Sequence, residues 1–358
     1  GEVYDDEIRP MQEAIAAQCR ELIAAAADAL CAKIDTTGFA KPVVLFNTLS
    51  WDRTDPVRMP DGSWREGVTV PAGGWTVVNR TPNPSDQSDQ SDPSDVLWVS
   101  ACGRELTNRF WELHLDEQGR ITRLYDRLNS RDVLPEGAAA NDWQVFEDRP
   151  LAHEAWDVDL YYQEHPLPKP ECASIEVVEQ GSARAAVELT WQMPSVGEGP
   201  QSVIAQRIAL YANDPRIDFE TRIHWHDHHQ LLKVAFPVDV RATEATYQIQ
   251  FGHLKRPAHW NTSWDFAKFE ACGHQFVDLS EHGYGVSLLN DCKYGHDVKD
   301  GVLRLTCLKS AQSPHMRADQ GQHEFTYSLL PHAGTFQEAG VIRAAAELNV
   351  PVIAVEVE

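Results

Sequence analysis

No stretch of the 358 residues is apolar for long enough to span a bilayer as a helix, and no basic-then-apolar leader opens them. Positive charge is scarce. Against 54 Asp and Glu stand 31 Lys and Arg, for a net charge of −23. Such a surface repels phosphate backbones and anionic lipids, so neither nucleic acid nor membrane is an expected partner, while neutral hydroxyl-rich ligands stay compatible. The seven cysteines (Cys19, Cys31, Cys102, Cys172, Cys272, Cys292, Cys307) are odd in number and scattered, with no C-x-x-C pair. That disfavours a disulfide framework and a Cys-based zinc site, and a reducing, cytoplasmic setting is expected. No G-x-S-x-G elbow surrounds Ser50, Ser263 or Ser287, and no Gly-rich phosphate loop occurs. Nucleophilic serine chemistry and nucleotide binding therefore have no support.

What is present has the balance of a globular protein, 42% hydrophobic and 24% charged, and the length predicts two or three domains. Residues 5–34 carry a stripe at steps of three and four: Ile8, Met11, Ile15, Cys19, Leu22, Ala26, Leu30, Ile34. This predicts one amphipathic helix over 1–38, starting near Asp6 because Pro10 is tolerated only in a first turn. A lone helix cannot bury such a stripe, so it reads as a helical-bundle segment that packs on the β domains or on further helices. Both ends read as cut: Gly1 runs at once into the helix, and the alternation from Pro351 stops at Glu358.

After Gly38 the pattern turns to strands. Val43–Asn47, Val68–Val70 and Trp75–Val78, parted by Pro-Asp-Gly and Gly-Gly turns, predict a small β domain over 39–80. Residues 81–95 are Ser, Asp, Gln, Pro, Thr and Asn with no apolar side chain to bury beyond the prolines, and predict a flexible linker. From 96 to 358 nearly every signal is β. The run Glu105–Leu115, the turn Asp116-Glu117-Gln118-Gly119 and the run Ile121–Tyr125 predict a hairpin. Further strands are expected at 174–179, 184–191, 203–211, 216–225, 231–236, 284–289, 302–308 and 323–330. Strands at this spacing, without intervening helices, predict a large antiparallel sandwich.

Several strings resemble glycoside hydrolase family 38, the α-mannosidases. They are Val44-Leu45-Phe46-Asn47-Thr48-Leu49-Ser50-Trp51-Asp52-Arg53, the hairpin from Glu105 to Leu128, and Phe146-Glu147-Asp148-Arg149-Pro150 with Ala155-Trp156-Asp157-Val158-Asp159. Asn261-Thr262-Ser263-Trp264-Asp265 and Tyr284–Gly295 complete the series, and Gly1–Asp6 resembles the stretch after the family's His-Asp metal motif. Their order is that of the family's C-terminal region in its bacterial and vacuolar-type branch. The resemblance implies a mainly β fold: a supersandwich like that of galactose mutarotase, preceded by a small β domain and a helical-bundle segment. It also implies retaining hydrolysis of terminal α-mannosides with zinc or a similar divalent cation, usually by two carboxyl groups about 5–5.5 Å apart. In the family the metal ligands and the nucleophile lie in an N-terminal domain. No catalytic residue and no metal ligand is therefore expected within these 358 residues, which should be inactive alone. The expected partners are that catalytic domain, an α-mannoside or manno-oligosaccharide and, by the resemblance, further copies of the chain.

Two groups combine aromatic faces with polar hydrogen-bonding groups, the equipment of a sugar site: Trp156, Asp157 and Asp159, and Asp291, Lys293 and Tyr294. The same residues read first as a buried Trp, turn-capping carboxylates and local ion pairs. His224-Trp225-His226-Asp227-His228-His229 would suit Zn²⁺ or Ni²⁺, yet reads first as a polar turn between two strands, with His224 and His226 on one face. Asn261 heads an N-x-Ser/Thr triplet and is expected to brace a turn. Two other classes stay open: a stand-alone carbohydrate-binding β module, and an epimerase that would need a His and a Glu converging in a cleft.

Overall fold

The computed structural model describes residues 3–81, 96–194 and 199–357. Most of the expected linker at 81–95 lies outside the described residues. Contacts divide the chain into two units. One joins Gly1–Ser91 to Val350–Glu358, and the other is Asp92–Asn349.

In the first unit a π-helical turn, Tyr4–Ile8, runs into helix α1, Arg9–Cys31. Pro10 is the second residue of α1, directly after that turn. Of α1 only Ala27 and Cys31 are buried, whereas Met11, Ile15, Leu22 and Leu30 of the predicted stripe are exposed. Beside it lies a three-stranded antiparallel sheet in the order Ile353–Glu356, Pro42–Phe46, Trp75–Asn79. The central strand is apolar at every position because it is covered on both faces. Val43 and Leu45 pack with Val57, Met59, Val70 and Val78, while Val44 and Phe46 pack with Ala27 and Cys31. The end of the chain was expected in the sandwich; it is instead an edge strand here, with Val43 opposite Glu356. Its own alternation fits either sheet, so only the partner decides. Val68–Val70 is no strand either, since Val70 makes a single bridge to Arg53.

The second unit is mainly β, as expected. A nine-stranded antiparallel sheet runs Glu171–Gln180, Arg184–Gln192, Val203–Tyr211, Ile217–Trp225, Gly321–Ala333, Tyr284–Asn290, Phe276–Glu281, Glu244–Ile249, Gly252–Pro257. A six-stranded sheet has Asp142–Glu147, Gln230–Pro237, Val302–Lys309 and Gly295–Lys299 at its centre. A five-stranded sheet holds the predicted hairpin, Trp111–Leu115 with Ile121–Asp126. Inner-facing residues of all three merge into one core, in which Phe219 stacks on Tyr327 at 4.9 Å and meets Phe236 edge-on at 5.5 Å. Among the described residues of the unit are two short α-helices, α2 (Ser263–Phe266) and α3 (Val341–Asn349). α3 packs Val341 and Ala345 on Phe276, Leu289 and Leu330 of the nine-stranded sheet.

Candidate functional site

The strand Gln230–Pro237 sends Leu232, Val234 and Phe236 into the core, so Leu231, Lys233 and Ala235 point to the opposite face. That face is buried too. Phe146, Tyr162 and Leu231 pack there with Val158 and Phe269, so the segments around 158–162 and 266–270 lie over the sheet. Here Lys233 is fully buried, its Nζ 2.7 Å from Asp297 Oδ2 and 2.6 Å from Glu270 Oε2. Arg304 Nη1 donates to Asp297 Oδ1 at 2.8 Å, and the Tyr162 hydroxyl to Oδ2 at 3.0 Å. Thr306 donates to Glu270, and Arg304 Nε to Gln144.

Burial alone would drive the Lys233 proton off, but the carboxylates of Asp297 and Glu270 outweigh it and raise the ammonium's pKa. Burial likewise pushes Asp297 up, yet Lys233 and Arg304 hold it below the usual range. For Glu270 burial wins over Lys233, and its pKa is raised. Two cations face two anions. The cluster has no surplus charge to offer a substrate and acts as a brace for the segments above it.

Those segments carry the predicted residues of the first group. The backbone N–H groups of Trp156 and Asp157 both donate to the His153 carbonyl, at 2.7 and 2.9 Å, folding a tight turn. Trp156 lies beside the His153 ring but is 78% exposed, contrary to its buried alternative. The turn is fastened beneath. The Asp148 N–H donates to the His229 carbonyl at 2.7 Å, Glu154 Oε1 lies 2.5 Å from His229 Nδ1 without hydrogen-bond geometry, and buried Asp148 holds Lys309 Nζ with both oxygens at 2.5 Å. Burial raises the Asp148 pKa in spite of Lys309. Asp159 accepts the Tyr162 N–H through its main-chain carbonyl.

The second string over this sheet is capped by Thr262. Its hydroxyl accepts from Asp265 N, and Asp265 in turn accepts from Thr262 N, which forms a capping box. The turn-bracing role expected of Asn261 thus falls to its neighbour. Trp264, on the helix so held, is 81% exposed. Tyr161 meets the Phe266 ring at 5.9 Å, so the two strings are neighbours in space.

Among the described residues no hydrogen bond, ion pair or ring contact joins this group to Asp291, Lys293 and Tyr294. Asp291 Oδ2 accepts the Thr326 N–H at 2.9 Å and ties a strand end to the next strand. Lys293 Nζ lies over the Phe325 ring at 4.7 Å, and Tyr294, 46% exposed, lies beside His274.

Residues 106–317 match the family model "Glycosyl hydrolases family 38 C-terminal domain". The chain belongs to glycoside hydrolase family 38. It is 40% identical over 341 residues to Alpha-mannosidase 2C1 of Homo sapiens, a match covering 93% of this chain and 32% of that protein. It is 38% identical over 288 residues to Alpha-mannosidase G of Dictyostelium discoideum, covering 79% of this chain and 26% of that one. The chain therefore spans about a third of the length of the curated relatives it matches. Among solved structures, an alpha-mannosidase from Enterococcus faecalis V583 superposes with a TM-score of 0.72 at 13% identity, over 94% of this chain and 48% of that one, and shows the same fold.

The family 38 resemblance carries a divalent cation with it. Among the described residues no three His, Cys, Asp or Glu side chains converge so as to hold a metal ion. The family 38 strings also take on physical meaning. Asp148, Trp156 and Asp265 belong to two segments pinned over one sheet, whereas Lys233, Glu270, Asp297 and Arg304 escaped the sequence reading. A lysine inside the apolar run Leu231-Leu232-Lys233-Val234-Ala235-Phe236 was the available signal. Among the described residues no helix is long and apolar enough to cross a membrane.

Proposed function

We propose that the chain forms the C-terminal part of an α-mannosidase that hydrolyses terminal α-mannosides with retention, at a zinc or similar divalent ion held outside these residues. Its β sheets buttress the catalytic part and border the sugar pocket. The observation that carries this reading is the 40% identity running through 93% of the chain to an α-mannosidase three times as long. The exposed stripe of α1 supports it, since a helix with Met11, Ile15, Leu22 and Leu30 in water is suited to be covered by further polypeptide.

In this reading Trp156 offers a ring face on which a pyranose stacks, and Asp157 and Asp159 accept sugar hydroxyl hydrogens. Lys293 and Tyr294 border the pocket at a second place, and Asp291 holds their loop to Thr326. The reading also places the enzyme in the cytoplasm. Seven unpaired thiols support that.

The test is an assay of a chromogenic α-mannoside with added Zn²⁺ or Co²⁺, using the purified 358-residue chain and the longer polypeptide. Hydrolysis is expected only from the longer polypeptide, and proton spectra should show the α-anomer of mannose as first product. Metal-dependent mannose release by the 358 residues alone refutes the assignment. The exposed Trp156 and Trp264 favour one other reading, a stand-alone carbohydrate-binding module. Calorimetric titration of the isolated chain with manno-oligosaccharides distinguishes it, because tight binding without any partner belongs to the module alone.

A further inference from the structure

The His-rich turn plays no part in the proposed function, and its geometry carries a separate inference. His224 lies in the strand Ile217–Trp225, opposite Val203 on one side and Gln322 on the other, so its backbone is fixed by two neighbours. His226 follows two residues later and points to the same face. Its N–H donates to Ser202 Oγ at 2.8 Å, and that hydroxyl donates to Asp227 Oδ2 at 2.6 Å. Gln320 fastens the turn from the other side by donating to the Asp227 carbonyl at 2.8 Å. Ser202 is buried, so the fastening is sheltered from water.

The two imidazoles so held meet nitrogen to nitrogen, His226 Nε2 at 3.2 Å from His224 Nδ1, with ring planes at 82°. Two nitrogens each about 2.0–2.1 Å from one ion stand roughly 2.9 Å apart at a right angle and about 3.4 Å apart at the tetrahedral angle. The observed separation falls between these limits. His224 is exposed, and His226 lines a polar cleft with Ser202, Asp227 and Gln320, so water can fill the remaining ligand positions.

We propose that His224 Nδ1 and His226 Nε2 chelate one borderline transition-metal ion, of the Cu²⁺, Ni²⁺ or Zn²⁺ class. One ring now donates its N–H to the other. On metal binding that proton moves to the donor ring's outward nitrogen, so both imidazoles stay neutral and both lone pairs reach the ion. Imidazole ligands favour Cu²⁺ over Ni²⁺ and Zn²⁺, and Mg²⁺, an oxygen-seeking ion, is not bound.

The proposal does not depend on the α-mannosidase reading and is tested on the tag-free 358-residue chain. Titrating Cu²⁺ by calorimetry, followed by electron paramagnetic resonance, should give one site per chain with two imidazole nitrogens on the copper. His224→Ala and His226→Ala should each weaken binding at least about tenfold and reduce the nitrogen pattern to one ring, whereas His228→Ala changes neither. Melting curves recorded alongside show that each variant is folded. Undiminished binding in the His224 and His226 variants, loss of binding in His228→Ala, or no copper bound by the parent chain overturns the assignment.

Discussion

Lys233 Nζ stands 2.7 Å from Asp297 Oδ2 in a place that solvent does not reach. Arg304 and Glu270 complete a cluster of two cations and two anions on the outer face of the six-stranded sheet. A pair of this kind costs much to desolvate and more to break, because the surviving partner keeps a buried, uncompensated charge.

Asp297→Ala should therefore destabilise the protein by about 3–5 kcal/mol. Lys233→Met removes the opposite charge and should cost a similar amount. Urea unfolding followed by fluorescence checks both, and a loss under about 1 kcal/mol in either would show that the cluster is not desolvated as described.

Acid should weaken the fold through His296. It is buried, and among the described residues neither ring nitrogen has a hydrogen-bond partner. Burial, and then the positive charge of Lys233, lower its pKa from 6.5 to about 3. Between those values the unfolded chain binds a proton that the folded one refuses, so stability falls as pH drops from 6.5 towards 3. Each unit of difference is worth about 1.4 kcal/mol. The slope of stability against pH over this window should be shallower in His296→Phe, and an unchanged slope would assign the acid sensitivity to other groups.

Gly119 closes the hairpin at φ +74°, and a Cβ there would lie 2.5 Å from Leu189 Cδ2 and 2.7 Å from Trp191 Cζ2. Gly119→Ala meets both a left-handed backbone and a filled space, and should cost more than about 1 kcal/mol. The near-ultraviolet signal of Trp191, whose Nε1 donates to the Gln118 carbonyl at 2.8 Å, should change with it. A variant as stable as the parent would mean that the turn packs elsewhere.

Trp156→Ala removes a ring that is mostly in water, so thermal stability should change by no more than about 0.5 kcal/mol. In the longer polypeptide the same change should lower kcat/KM for α-mannosides at least about tenfold, which is roughly 1.4 kcal/mol of transition-state binding. Asp291→Ala is expected to behave differently and lose about 1–3 kcal/mol of stability, because the Thr326 N–H is left without its acceptor. Equal kinetics for parent and Trp156→Ala would remove Trp156 from the sugar pocket.

Alternation and turn chemistry in the sequence determined the class of fold and most of its strands. The run Arg184–Gln192 to Val203–Tyr211 to Ile217–Trp225 was legible because each strand is alternating or largely apolar between turn signals. The helix α1 was legible for the same reason at period 3.6. Gly252–Pro257 was not, since its only large apolar residue is Leu254, and Glu244–Ile249 was passed over although Ala245, Tyr247 and Ile249 alternate with polar residues in a short run. Only the tertiary structure could return Ile353–Glu356 to the small sheet, because pairing depends on which edge is free and not on the strand's own residues. It alone could place Lys233, Glu270, Asp297 and Arg304 together. They lie up to 71 residues apart in sequence, and charges so separated meet only once the sheet has formed and other segments have covered it.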